Sequence, residues 1–418
     1  MNTDSFQSLR TRNTSLLLEK IWSGDKLSRA DLARHSGLAR STVSAIVNPL
    51  IESGVLQVQG IGQSSGGRPP EVLRFNTGRF HLVGVELGAA HVSVIVTDLA
   101  GSRKSWSTQE FPVEHDPDGT MALVHKMIDR AVAEAKITPA QVLGVGVAVP
   151  CPVHPDDPNR LSPQILPRWR HIRLADALLE RHGWPVFVDN DANMGAVGEQ
   201  WWGAGRGAAT FAYIKVATGV GAGLVIDGVV YAGPGGIAGE IGHTAIDSRG
   251  PRCRCGLYGC LEAMVGTRSL ESAAALELTQ HPDPTLGSNP GIAILVEAAQ
   301  QGHPLATRLI ARAGELLGVA IANLVNLVNP TRVILGGRLP YAGAVLLDPL
   351  RLALRERAMW SSVLEAEVVA SALGDHAIAL GAATRVLQAA MSAPQLYFPV
   401  NSTAKSPPVG AADAQTAP

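Results

Sequence analysis

The thirty residues from Gly233 to Glu262, GPGGIAGEIGHTAIDSRGPRCRCGLYGCLE, restrict the possible folds of this chain more than any other segment. Three of the four cysteines fall here, spaced Cys-x-Cys-x4-Cys at Cys253, Cys255 and Cys260, with His243 ten residues before the first. Gly256 and Gly259 carry no Cβ, so the backbone can curl between the thiols. Three thiolates and one imidazole make the donor set of a closed, four-coordinate structural zinc site. A disulfide is disfavoured, because nothing else in the chain points to an oxidising compartment.

Gly239-Glu240-Ile241-Gly242-His243, the cysteine cluster and Gly259-Cys260-Leu261-Glu262 together resemble the core motif of the ROK family, whose members are sugar kinases and sugar-responsive repressors. Further matches extend the resemblance over most of residues 13–385.

At 418 residues the chain exceeds what one compact core holds, so two or three domains are expected. Hydrophobic residues at 46% and charged ones at 17% fit a soluble globular protein. A net charge of −1 gives the whole chain no electrostatic claim on nucleic acid. Residues 1–78 differ, with nine Lys/Arg against six Asp/Glu (+3), which leaves −4 for the remainder. That asymmetry suits a DNA-binding module at the N-terminus. The start, MNTDSFQSLRTRN, is too polar for a signal peptide, and apolar runs are interrupted by Gly or polar residues before reaching membrane-spanning length. A cytoplasmic protein without a membrane partner is expected.

Residues 13–22 show apolar side chains at helical spacing. Ser28, with Asp31 three residues on, predicts the N-cap of a second helix that Gly37 ends. A third helix over ARSTVSAIVNPLIESG turns Val43, Ile46, Val47 and Leu50 inward, with Pro49 placed to bend it. Two short helices, a tight turn and a third helix opening in small polar residues describe a helix-turn-helix. Arg40, Ser41, Thr42 and Ser44 would then face the major groove of double-stranded operator DNA. Two alternating runs, Val55–Val58 and Val72–Phe75, flank a Gly/Ser/Pro loop and predict a wing with Arg68 at its tip. The segment resembles the winged helix that precedes the sugar domain in ROK repressors and is absent from ROK kinases.

Beyond residue 79, strands alternate with helices, and the hairpin around Gly88 is answered by FAYIKVATGVGAGLVIDGVVYAG. This predicts an α/β architecture of two related lobes with a cleft near residue 190. The ROK resemblance implies that this is the actin-like, ribonuclease-H-type fold. The expected domains are a winged helix-turn-helix over 1–78, a two-lobed sugar-binding domain over 79–391 and a disordered, Pro/Ala/Ser-rich tail over 392–418. Two heads on a palindromic operator imply a homodimer or homotetramer. The apolar helices near 304–328 and 375–391 serve either the core or an interface.

The resemblance assigns contacts with sugar hydroxyls to Asn190, Asp191, Glu240, His243 and Glu262. Asp191 matches the position of the general base in the kinases, although Asp in that setting is also a common helix cap. His243 can ligate zinc through one ring nitrogen and present the other in a fixed orientation. Four protein ligands leave zinc no open position, so its expected role is structural. Where ROK kinases carry Asp-x-Gly-Gly-Thr at the first hairpin turn, this chain has Glu86-Leu87-Gly88-Ala89-Ala90. Losing a glycine and a hydroxyl at a phosphate-binding turn argues against ATP as a cofactor and against catalysis. The second turn, Thr218 to Gly223, is better kept, but Gly-x-Gly also serves ordinary hairpins. Cys151 reads as a small buried thiol, and Trp169 as a core residue with a sugar-covering loop as the other reading. A sugar-responsive repressor is therefore expected, with an ATP-dependent sugar kinase and a zinc- or redox-responsive regulator as the alternatives.

Overall fold

The structure, a computed structural model, describes residues 3–24, 27–61, 71–359 and 366–398, with side chains from residue 8 onward. The N-terminal unit contains α1 (Thr3–Ser23), α2 (Arg29–Ser36) and α3 (Arg40–Glu52), followed by β1 (Leu56–Ile61) and β2 (Glu71–Phe75). The boundary of α2 follows from its sequence. The Ser28 hydroxyl accepts from Asp31 N at 3.2 Å, while Asp31 Oδ2 accepts from Ser28 N at 3.0 Å, a closed capping box. Gly37 ends the helix at φ +72°, in the left-handed region. Pro49 is accommodated, and α3 runs on to Glu52. β1 and β2 pair antiparallel from Leu56 opposite Phe75. Arg68 and the remainder of the wing tip lie outside the described residues. The first helix begins at Thr3, ten residues before the periodic stretch that announced it.

The first lobe carries β3 (His81–Leu87), β4 (His91–Asp98), β5 (Arg103–Glu110), α4 (Pro117–Glu134), β6 (Val142–Val149), a small β7 (Val153–His154) and β8 (Asp157–Leu161) hairpin, α5 (Leu174–His182) and β9 (Val186–Asn190). Its sheet has the order β5-β4-β3-β6-β9. Next come α6 (Asp191–Trp202), β10 (Phe211–Val216), β11 (Val220–Ile226) and β12 (Val229–Val230). The second lobe continues with α7 (Glu262–Val265), α8 (Thr267–Gln280), α9 (Ile292–Gln300), α10 (Pro304–Val328), β13 (Arg332–Gly337), α11 (Ala344–Arg357) and β14 (Glu367–Ala370), and the described chain closes with α12 (Ala377–Ser392) and α13 (Pro394–Tyr397). The second sheet has the order β12-β11-β10-β13-β14. In each lobe the first three strands form an antiparallel meander, and the last two join parallel on its other side. The two hairpins read from sequence are thus the starts of two copies of one topology.

Helix α12 runs across β3, β6 and α6. The contact is so close that a Cβ on Gly146 would lie 1.8 Å from Ala382 O, so only glycine fits there. Twelve of the sixteen residues of α12 are buried, so core packing accounts for its apolar character. Helix α10 is long and apolar enough to cross a membrane, yet 56% of its most apolar window is buried within the protein, where it packs on α11. Leu17, Leu18 and Ile21 of α1 share one cluster with Leu380, Leu387 and Met391 of α12 and with Leu82 and Ile95 of the first sheet. The N-terminal unit is therefore packed into the body.

The expectation of a disordered tail from residue 392 is corrected for its first part. Ser392 belongs to α12, residues 394–397 form α13, and Phe398 is only 2% exposed, its ring 5.8 Å from that of Phe80. An aromatic side chain near the start of a polar, aperiodic stretch found a hydrophobic seat that periodicity does not register. Residues 399–418 lie outside the described residues.

Candidate functional site

Asp191 opens α6 directly after the carboxyl end of β9. The capping role weighed for Asp191 falls instead to Asn190, whose side-chain oxygen accepts from Ala192 N at 2.9 Å and Asn193 N at 3.4 Å. That frees the Asp191 carboxylate, which pairs with Lys215 Nζ from β10 of the other lobe. Both side chains are buried. Burial by itself would depress the Lys215 pKa, but the charges of Asp191, Glu86 and Glu262 outweigh it and hold the ammonium protonated.

Glu240 and His243 arrive on the loop after β12. Gly239 adopts φ +93°, and a Cβ there would sit 1.8 Å from Ala222 O, so only glycine lets this loop press against β11. Ala222 N donates to Gly239 O at 2.8 Å and fixes the contact. The Glu240 carboxyl is pushed up to about 7, first by burial and then by the charges of Asp191 and Glu262. Glu262, at the start of α7, accepts from Val220 N at 3.1 Å and meets Arg254 Nε at 3.2 Å. Arg254 reaches on to Glu114 at 2.7 Å. Asp191 and Glu262 thus act electrostatically on Glu240.

His243 stands between two environments. Its Nε2 lies 3.8 Å from Glu240 and its Nδ1 lies 3.6 Å from Cys253 Sγ. The donor atoms of His243, Cys253, Cys255 and Cys260 all fall within 4.8 Å of one another, and the sulfurs of Cys255 and Cys260 are 3.7 Å apart. For tetrahedral zinc, the usual bond lengths give sulfur–sulfur edges of about 3.8 Å and sulfur–nitrogen edges of about 3.6 Å. The donor set and these spacings fit a metal. The knuckle is shaped by Cys253 N donating to Leu257 O at 2.7 Å and Gly256 N donating to Cys253 O at 3.0 Å.

At the first hairpin turn Glu86 is buried, and His91 Nε2 lies 3.5 Å from its carboxylate. The His91 ring fills the space over Gly88, where an added Cβ would lie 2.2 Å from it. Cys151 is buried in apolar surroundings that raise its thiol to about 12. Trp169 is a core residue, 2% exposed, with its indole N–H donating to Val113 O at 2.9 Å.

In the N-terminal unit, Arg40 and Ser41 are exposed at the start of α3, with Thr42 and Ser44 partly so. No side chain caps α3, so its first N–H groups lack a side-chain partner at the N-cap. Sequence reasoning missed three participants: Lys215, Arg254 and Glu114. A single lysine in the apolar run Phe211–Val216 was a legible signal, since buried lysine needs a counter-charge. Arg254 was hidden inside the cysteine motif.

A family model described as the ROK family matches residues 82–389. This chain belongs to the ROK family. A second model, described as winged helix-turn-helix DNA-binding, matches residues 17–57, so this ROK protein carries such a unit ahead of its two lobes. It is 29% identical over 393 residues to the xylose repressor of Caldicellulosiruptor bescii, covering 93% of this chain and 98% of that protein. Among solved structures, a ROK family transcriptional regulator homologous to the Mlc protein of E. coli superposes with a TM-score of 0.77 at 26% identity, over 92% of this chain and 97% of that one. A ROK family glucokinase from Streptomyces griseus, in complex with glucose and AMPPNP, superposes with a TM-score of 0.65 at 30% identity, over 74% of this chain and 99% of that one. Its coverage of this chain is smaller by roughly the length of a DNA-binding head.

Proposed function

We propose that this ROK protein is a sugar-responsive transcriptional repressor that binds operator DNA through α3 and the wing, and a small sugar between its lobes. The observation that carries this reading is the grouping of Asp191, Glu240, Glu262 and His243 beside a metal-type thiol cluster, in a chain that also holds a winged helix. Sugar hydroxyls both donate and accept, and carboxylates with one oriented imidazole suit them. Zinc on Cys253, Cys255, Cys260 and His243 Nδ1 would hold the loop in place and leave Nε2 to orient Glu240 and the sugar. Arg40, Ser41, Thr42 and Ser44, with Arg68 of the wing, would contact DNA as a homodimer or homotetramer.

Helix α6 supplies a route between the two activities. It begins at Asp191 and ends in Trp201-Trp202, and Trp22 of α1 packs on both indoles with ring centroids 5.6 and 6.1 Å apart. Trp22 also meets Phe75 of β2 edge-on at 5.2 Å. A groove of about 930 Å³ lined by Trp22, Asp189, Gln200, Tyr231 and Arg385 leaves room beside this contact for the head to shift. Lobe closure on a sugar would then tilt α6 and carry the head with it.

The kinase reading is weaker. The His91 ring occupies the turn that a phosphate would need, and Lys215 pairs with the carboxylate that would serve as base. A base bound to a permanent cation is a poor proton acceptor. The deciding experiment combines a thermal-shift screen over a sugar panel with operator binding and ATP consumption. A sugar that raises the melting temperature and changes operator affinity, without ATP turnover, supports the proposal. Sugar-dependent ATP turnover lost in Asp191→Asn overturns it.

A further inference from the structure

The groove of about 930 Å³ where the head meets both lobes is lined by aromatic side chains that the described chain leaves partly uncovered. Trp22 comes from α1, Trp201 from α6 and Tyr231 from the residue after β12. Tyr231 and its neighbour Val229 are 50% and 48% exposed, an apolar patch of the kind that marks a contact surface. Glu19 also lines the groove, exposed and without an ion pair among the described residues. An aromatic groove of this kind fits a proline-rich strand, which arrives already extended and so loses little freedom on docking.

The chain carries such a strand in Lys405-Ser406-Pro407-Pro408-Val409. Proline fixes its own φ and steers the residue before it towards extended backbone, so Ser406, Pro407 and Pro408 favour that conformation. Its root is at the groove. The Tyr397 ring lies 6.4 Å from that of Phe187, a groove residue, and α13 packs on α1, the helix that bears Glu19 and Trp22. Ser392, which also lines the groove, accepts from Ser15 Oγ of α1 at 2.9 Å. Pro407 follows Phe398 by nine residues, a reach of up to about 30 Å. Lys405 is the sole Lys or Arg after Arg385, two residues ahead of the proline pair, and its charge complements Glu19. We propose that residues 405–409 dock in this groove, with Pro407 and Pro408 on Trp22, Trp201 and Tyr231 and with Lys405 beside Glu19. The docking needs neither sugar nor DNA. Its consequence, that a seated tail fills the space in which the head would shift, rests on the reading of the chain as a repressor.

The test replaces Val409 of the full-length protein with the photoreactive amino acid benzoylphenylalanine and maps the adducts by mass spectrometry. Adducts should concentrate on the groove, at residues 19–23, 153–158 and 228–234. Their yield should fall by about fivefold or more in Tyr231→Ala, and separately in a Pro407→Gly/Pro408→Gly variant, as for contacts that carry an interface. Tyr231 is half-exposed, so its loss leaves the fold intact, and equal melting temperatures of all variants check this. Adducts scattered over the surface, or a yield that either variant leaves unchanged, overturn the inference. A mixture of protein labelled with 14N and 15N separates the chains: adducts within one label support docking in the same chain, and adducts joining two labels overturn it in favour of a second copy's tail. Sugar and operator are both absent from the experiment, so failure of the repressor reading leaves this result standing, and failure here leaves that reading untouched.

Discussion

The pair formed by Asp191 and Lys215 offers the sharpest stability experiment. Both groups are buried, and they join the first lobe to the second. Removing one member of a buried ion pair costs about 3–5 kcal/mol, because the survivor is stranded without its partner. The environment separates the two single variants. Asp191→Asn leaves Lys215 facing the charges of Glu86 and Glu262, so its loss belongs near 3 kcal/mol. Lys215→Met leaves Asp191 and Glu86 in the cleft without the ammonium, so its loss belongs near 5 kcal/mol. The double variant should recover most of this and lie within about 2 kcal/mol of wild type, since apolar or neutral replacements of a whole pair are often tolerated. Urea titrations of the sugar-free protein, read at unchanged slope, measure all three. Losses that simply add in the double variant, or single variants within about 0.5 kcal/mol of wild type, refute the reasoning.

Cys253→Ser should abolish stoichiometric metal, measured by elemental analysis, and weaken sugar binding with it. Trp22→Ala should keep sugar affinity while the ratio of operator affinities with and without sugar falls towards one in a gel-shift assay. Phe398→Ala should destabilise the protein by about 3–5 kcal/mol in thermal unfolding, because the ring is buried against Phe80. His125 and His182 hydrogen bond at 3.2 Å, and burial lowers the pKa of both. The unfolded chain therefore takes up more protons, and stability should be lost as pH falls below about 6.5. His182→Gln should flatten that acid limb in melts recorded across pH.

Where a residue's role depends on its neighbours in sequence, the role was legible. Ser28 and Asp31 cap α2, Gly37 ends it, and the thiols of Cys253, Cys255 and Cys260 close around His243, because short loops bring near residues together. The repeated hairpins announced two lobes, and the repeated strand order follows from them. Contacts between distant segments were not legible. Lys215 meets Asp191 across the cleft, Arg254 meets Glu114 across 140 residues, and Phe398 returns to Phe80. Apolar alternation says that a face is buried but not which element covers it. The same limit explains why Asn190, and not Asp191, became the cap. Either side chain can serve; Asn190 takes the cap, and Asp191 pairs with the lysine on the opposite lobe.

Because Leu17, Leu18 and Ile21 complete the same oily seam as Leu387 and Met391, the head of this regulator is not an interchangeable plug. Swapping it onto a relative's body by cutting near residue 78 would bare both halves of that seam. A working chimaera would have to carry the matching face of α12, almost 300 residues downstream, along with the head.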